Sequence, residues 1–234
     1  MRPCVRKFLS FVLLAGAAAQ AALPAERVGR GKFEWVRLQT PSPYWNRHMR
    51  GDPGLLQFLR KETPLQVEPS WRTVSADDVD ALCEYPFIYA HDIRDLRPLQ
   101  ARNLAEYIRR GGFVFIDFCV NSTINPSPAE FLELQYAILK PHLAGLRKNT
   151  LPPGHEIFSI YFKMVDFPPQ TRPGDSRWTD GATNPMCGFY LDNRMVVLVG
   201  LSGFQCSWDG VGSRQNAAEC MKMAANIHIY AMTR

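Results

Sequence analysis

Two short apolar runs with one amphipathic stretch between them constrain the fold of this chain more than any other feature. Phe87-Ile88-Tyr89-Ala90 and Phe113–Phe118 are apolar without alternation, Asp117 excepted. Runs of that kind belong to strands covered on both faces, as in a parallel sheet. Between them, Leu96–Arg110 sets Leu99, Leu104, Tyr107 and Ile108 on one helical stripe. Arg109 and Arg110 stand at its end, and Gly111-Gly112 stop it. Ser127–Leu139 follows as a further helix, with Phe131, Leu134, Ile138 and Leu139 inward and Ser127 and Glu130 in capping-box spacing. Strand–helix–strand–helix order predicts an α/β fold, a mainly parallel sheet with right-handed crossovers and helices on both faces.

The flanking segments extend this pattern. Phe33–Gln39 reads as the first strand, Thr40–Pro53 as a loop punctuated by Pro41, Pro43 and Pro53, and Leu55, Leu56, Phe58 and Leu59 as a helix. A brief extended piece lies around Leu65–Val67, and Asp77–Leu82 is a short helix capped by Asp77 or Ser75. Pro152–Met186 carries six prolines and reads as a surface excursion with one ordered patch, Ile157–Phe162. Cys187–Leu191, a turn at Asp192-Asn193-Arg194 and Met195–Leu201 form a late β-hairpin, and Gln215–Met232 a C-terminal helix.

The first 21 residues stand apart. Arg2, Arg6 and Lys7 precede the uncharged stretch Phe8–Ala19, and Ala19-Gln20-Ala21 offers a small-x-small cleavage site. Residues 1–21 therefore read as a secretory signal peptide, 22–32 as a flexible N-terminus and 33–234 as one α/β domain. Cleavage removes three of the 27 basic side chains, which leaves 24 against 22 acidic ones where the whole chain carries +5. That near balance leaves a nucleic-acid partner without support. No later apolar run reaches the roughly 18–20 residues of a membrane span. A secreted protein is expected, periplasmic in a Gram-negative host. Export means an oxidising compartment. The remaining cysteines are Cys83, Cys119, Cys187, Cys206 and Cys220, an odd number. Cys187 and Cys206 flank the hairpin and are the expected disulfide; the alternative is that all five are small buried hydrophobes.

Ligands of open α/β sheets bind beyond the carboxyl ends of the strands. That rule selects three loops: Ser42, Tyr44, Trp45, Asn46, Arg47 and His48 after the first strand; His91, Asp92 and Arg94 after Phe87–Ala90; Cys119, Asn121 and Ser122 after Phe113–Phe118. Asp117, inside an apolar strand, needs a partner because an isolated buried carboxylate is costly. It either contacts a ligand or metal at the sheet edge, caps a neighbouring helix, or pairs with Arg94 or Arg47. Zinc needs three or four convergent ligands, and His48, His91 and Asp117 are the trio on offer; no metal is assigned. Glycine-rich nucleotide loops and Gly-x-Ser-x-Gly elbows are absent, so no cofactor is expected. Trp45, with Tyr44 and His48, is of the type that stacks on sugar rings.

Several segments occur in a telling order: Phe33-Glu34-Trp35-Val36-Arg37-Leu38, Tyr44-Trp45-Asn46, Leu55–Arg60, Tyr85-Pro86-Phe87-Ile88-Tyr89, and Gly111-Gly112-Phe113-Val114-Phe115-Ile116-Asp117. His155-Glu156-Ile157-Phe158, Gly188-Phe189-Tyr190-Leu191-Asp192 and Ala225-Asn226-Ile227 with Tyr230-Ala231 complete the series. Over nearly the whole mature chain this resembles the bacterial domain of unknown function 4159 family. The resemblance implies a flavodoxin-like three-layer sandwich related to class I glutamine amidotransferases, with no established activity. Relatives neighbour ATPases of the MoxR type and von Willebrand factor A proteins, or carry membrane segments. Amidotransferase-type enzymes place a nucleophilic cysteine at the end of a strand that leads to a helix, which is the position of Cys119. His91 is the base on offer. Flanking glycines and a late His-x-Glu pair are missing here. The leading reading is thus a non-catalytic exported module that binds an unidentified ligand or protein partner. Its rim comprises Tyr44, Trp45, Asn46, Arg47, His48, Asp92, Arg94, Asp117 and Asn121. The alternatives are a thiol-dependent hydrolase or amidotransferase-like enzyme using Cys119 and His91, and a carbohydrate-binding protein using Trp45.

Overall fold

The computed structural model describes residues 32–117, 119, 127–164, 185–211 and 213–234; the expected signal peptide and Asn121 lie outside the described residues. The strands are β1 (Lys32–Phe33), β2 (Val36–Gln39), β3 (Gln66–Val67), β4 (Arg72–Ser75), β5 (Phe87–Ala90), β6 (Phe113–Asp117), β7 (Arg147–Thr150), β8 (Cys187–Leu191) and β9 (Arg194–Gly200). The helices are α1 (Asp52–Glu62), α2 (Val79–Leu82), α3 (Pro98–Arg109), α4 (Pro128–Leu139), α5 (Phe204–Trp208) and α6 (Arg214–Thr233). What reads as one first strand is two: β1 pairs with β3 in a small parallel sheet, and β2 enters the main one. The main sheet has seven strands in the order β4-β2-β5-β6-β9-β8-β7. The first five are parallel; β8 runs antiparallel to both β9 and β7.

Helices cover both faces, giving the flavodoxin-like three-layer sandwich. Because side chains alternate along a strand, Ile88, Ala90, Val114 and Ile116 face a largely aliphatic layer with residues of α2, α3 and α4. Phe87, Tyr89, Phe113 and Phe115 face an aromatic layer with Trp35 and residues of α1, α5 and α6. Fully burying each such side chain contributes about 1.5–3 kcal/mol. Tyr107 also donates its hydroxyl hydrogen to the Phe113 carbonyl at 3.1 Å. A Cβ at Gly112 would overlap the Tyr107 ring at 2.2 Å, so the second glycine after α3 makes room for this contact. The hairpin turns at Asp192 and Asn193, with φ of 50° and 65°, the left-handed pair of a two-residue turn. Among the described residues no helix is long and apolar enough to cross a membrane.

Two inward assignments are corrected. Leu99 is 56% exposed, because it stands five residues before Leu104, which is roughly 140° round a helix of 3.6 residues per turn. Leu134 faces out, and Gln135 takes the inward place. The Gln135 side chain accepts from Ile93 N–H at 2.9 Å and donates to Asp92 at 2.9 Å, so a polar residue there satisfies the loop after β5.

Gln39, Ala90, Asp117 and Gly200 end neighbouring parallel strands and so finish on one border, with Ala90 opposite Ile116 and Asp117 opposite Gly200. After β2 the chain crosses by α1, on the aromatic side, to β4; after β5 it crosses by α3, on the aliphatic side, to β6. These diverging exits open a crevice at the carboxyl ends.

Candidate functional site

The loop after β2 is fixed from below. Arg37, fully buried in β2, grips Asp52 at the start of α1 through two bonds of 2.5 and 2.8 Å. Its Nη1 donates to the Arg47 carbonyl at 3.2 Å, and its guanidinium lies 4.8 Å from the Tyr89 ring centre. With the backbone held at Arg47, the next residue, His48, adopts left-handed φ and ψ of 58° and 15° before the 3-10 turn Met49–Gly51. That geometry carries its imidazole toward α5.

Asp117 fixes the other wall. Fully buried at the end of β6, it accepts from the backbone N–H of Phe204 at 3.1 Å and of Gln205 at 2.8 Å. It thus caps α5, a role worth about 1–2 kcal/mol. Burial pushes its carboxyl up to about 8, and the two N–H bonds pull the other way. The residue after that cap is Cys206.

Between these walls, His48 Nε2 lies 3.6 Å from Cys119 Sγ and 3.5 Å from Cys206 Sγ, and the sulfurs are 3.7 Å apart. The other ring nitrogen, Nδ1, meets Asp209 Oδ2 at 2.7 Å. A carboxylate on Nδ1 assigns the proton to that nitrogen and leaves the Nε2 lone pair toward the sulfurs. Burial opposes the imidazolium, but the bonds and negative charges of Cys119 and Asp209 outweigh it and raise the His48 pKa above its usual value. Among the described residues, His48, Cys119 and Cys206 are the His, Cys or acidic side chains whose ligand atoms converge, all within 4.8 Å of one another, with Asp209 behind the imidazole. Such a set can hold a metal ion; without one, a thiol, an imidazole and a carboxylate stand in line for nucleophilic chemistry. A cleft of about 390 Å³ reaches His48 and Asp209 and is lined also by Asn46, Arg47, Met49 and Arg50.

The expected site residues divide accordingly. His48 and Cys119 meet. His91 is buried against the Gln205 amide, and burial with nearby arginine charges lowers its pKa to about 3, so it is neutral. The ring in contact with Cys119 is His48, not His91. Asp92 is held by Gln135, by the Arg94 N–H at 2.9 Å and by the Arg94 side chain, on the α4 side of the loop. The zinc trio weighed from the sequence does not assemble, because Asp117 is used as a helix cap and His91 faces Gln205. Asn46 and Arg47 line the cleft; Tyr44 and Trp45 do not. Cys187 and Cys206 are not bridged. The hairpin carries Cys187 into the aliphatic layer, where burial pushes its thiol up to about 11, while α5 carries Cys206 to the rim. Sequence reasoning did not assign Cys206 and Asp209 to this site. Their i, i+3 spacing on one turn after a strand end was the available signal.

Compared with known proteins, the chain gives one finding: a family model described as Domain of unknown function (DUF4159) matches residues 34–232. No curated protein matches it.

Proposed function

This chain belongs to the DUF4159 family, matched over residues 34–232, and from that premise we propose that its strand-end rim is a zinc centre of the hydrolytic type. The carrying observation is the triangle of ligand atoms. A tetrahedral zinc ion about 2.3 Å from sulfur and about 2.0–2.1 Å from nitrogen spaces two sulfurs about 3.8 Å apart, and each sulfur about 3.6 Å from the nitrogen. The edges here are 3.7 Å for the sulfurs and 3.5 and 3.6 Å to His48. Asp209 on the far ring nitrogen is the carboxylate that a zinc-bound histidine commonly has behind it. Of the three ligands His48 lines the cleft, while Cys119 and Cys206 lie buried behind it. A fourth position turned toward the cleft would make the site catalytic, with zinc making its bound water acidic near pH 7. The rim loops remain a binding surface in this reading, with the metal as their anchor.

Export, expected from residues 1–21, belongs to the same proposal. In an oxidising compartment two thiols this close would join as a disulfide unless a metal held them as thiolates. A second reading uses the same atoms without metal. Cys119 is then the nucleophile, His48 the proton acceptor and Asp209 its orienting carboxylate, as kinship with amidotransferases would suggest. Cys206, equally close to His48, has no part in it.

The test is elemental analysis of the exported protein. About one zinc per chain, lost in Cys206→Ser and in His48→Ala and retained in His91→Ala, is the expected result. A zinc-free protein whose Cys119 is alkylated rapidly by iodoacetamide in both wild type and Cys206→Ser supports the thiol reading instead. A Cys119–Cys206 disulfide in the isolated protein overturns both.

A further inference from the structure

We infer that the substrate of this centre carries a terminal oxyanion, a carboxylate or a phosphate, gripped by Arg47 and Arg50. Both arginines line the cleft on either side of His48 in sequence. Among the described residues no carboxylate forms an ion pair with either of them. Asp209 is the acid among the described residues that lines the cleft, and its Oδ2 is taken up by His48. Two guanidinium groups without an ion pair among the described residues therefore line the cleft beside one committed carboxylate, which gives the cleft a positive field.

Arg47 is also prepared for a ligand. Its carbonyl is pinned by Arg37, its guanidinium leans toward the Tyr44 ring at 5.8 Å, and its Nε is a buried donor with no hydrogen-bond partner among the described residues. An oxyanion in the cleft can reach this fork only through nitrogens other than the buried Nε. Guanidinium forks match the paired oxygens of carboxylates and phosphates, which selects these groups over neutral sugars. The inference rests on the zinc reading for where the rest of the substrate reacts; the arginine grip stands without it.

The experiment titrates zinc-loaded protein with acetate, with inorganic phosphate and with glucose, followed by calorimetry. Binding of at least one anion, no heat from glucose, and affinity lowered about tenfold by each of Arg47→Gln and Arg50→Gln are expected. Zinc content should not change in either variant, and Arg72→Gln, on β4, should bind as wild type does. A preference between acetate and phosphate identifies which oxyanion the site takes. Failure of both anions to bind, equal affinity in the double arginine variant, or equal binding of glucose overturns the inference while leaving the metal centre standing. Arginine-dependent anion binding in a protein that holds no zinc overturns the metal centre and leaves this inference standing.

Discussion

Replacing Gly51 by alanine separates a preassembled site from three side chains that merely lie near one another. Gly51 has φ and ψ of −77° and −19°, an ordinary helical conformation, so alanine meets no backbone strain there. Its obstacle is space. A Cβ would lie 2.7 Å from Trp208 Cδ1, 2.8 Å from the Asp209 nitrogen and 2.9 Å from the Asp209 Cα, where ordinary contact begins at 3.4 Å. Two of those neighbours are backbone, so the loop and the end of α5 must part by about 0.6 Å. The His48–Asp209 bond of 2.7 Å would stretch to about 3.3 Å, and the imidazole would draw away from Cys206, which α5 carries, by a similar amount. Overpacking of this kind costs about 1–3 kcal/mol, offset by about 0.4–1 kcal/mol from the stiffer unfolded chain. A net loss on the order of 1–2 kcal/mol lowers Tm by about 2–8 °C in a domain of this size. Gly54→Ala is the control: nothing lies within 4 Å of its Cβ, and in α1 it should stabilise by up to about 1 kcal/mol. Thermal unfolding together with zinc retention under a chelator measures both effects. A Gly51→Ala protein that melts with wild type and holds zinc equally well would refute the close-approach reasoning.

Three further perturbations test the scaffold. His228 lies buried on α6, with Phe33 and Phe87 rings 4.3 and 5.1 Å away, and burial lowers its pKa to about 4. The unfolded chain takes up that proton near pH 6.5 and the folded one only near 4, so stability falls with pH across that window, by on the order of 3 kcal/mol. His228→Phe should remove this part of the acid sensitivity, seen as a smaller shift of the urea midpoint between pH 7 and pH 4.5. Arg37→Met strands Asp52 in the interior and should cost about 3–5 kcal/mol in urea unfolding, whereas Arg37→Met with Asp52→Leu removes both charges and should cost less. Asp117→Ala frees the Phe204 and Gln205 N–H groups, and should lower stability by about 1–2 kcal/mol and shorten zinc retention, because α5 carries Cys206.

The central strands were legible because burial on both faces forces an apolar run, as in Phe87–Ala90. The edge strands β4 and β7 were not. Each has a single neighbour in the sheet, so Arg-Thr-Val-Ser and Arg-Lys-Asn-Thr can stay mostly polar and carry no alternation signal. The five residues of α5 are too few for a helical period, and Gly203 and Gly210 on either side read as turn punctuation. The strand-end rule brought His48 and Cys119 to the same rim. It could not choose between His48 and His91, because that choice depends on a left-handed residue set by Arg37 and by the missing side chain at Gly51.

Cys206 and Asp209 were missed for a topological reason. In sequence, β9 is the second half of a hairpin, and a hairpin's exit returns to the end where it began. In space, β9 also pairs parallel with β6, with Asp117 opposite Gly200, so its exit leaves from the border that holds Cys119. Asp117 then converts that neighbour relation into chemistry by capping α5, which sets Cys206 beside Cys119 and Asp209 behind His48. The residues that fix the ligand geometry (Arg37, Gly51 and Asp117) are therefore not ligands themselves. Variants at those three positions should weaken metal retention without removing a ligand atom, a result that a chance meeting of two buried cysteines and a histidine would not give.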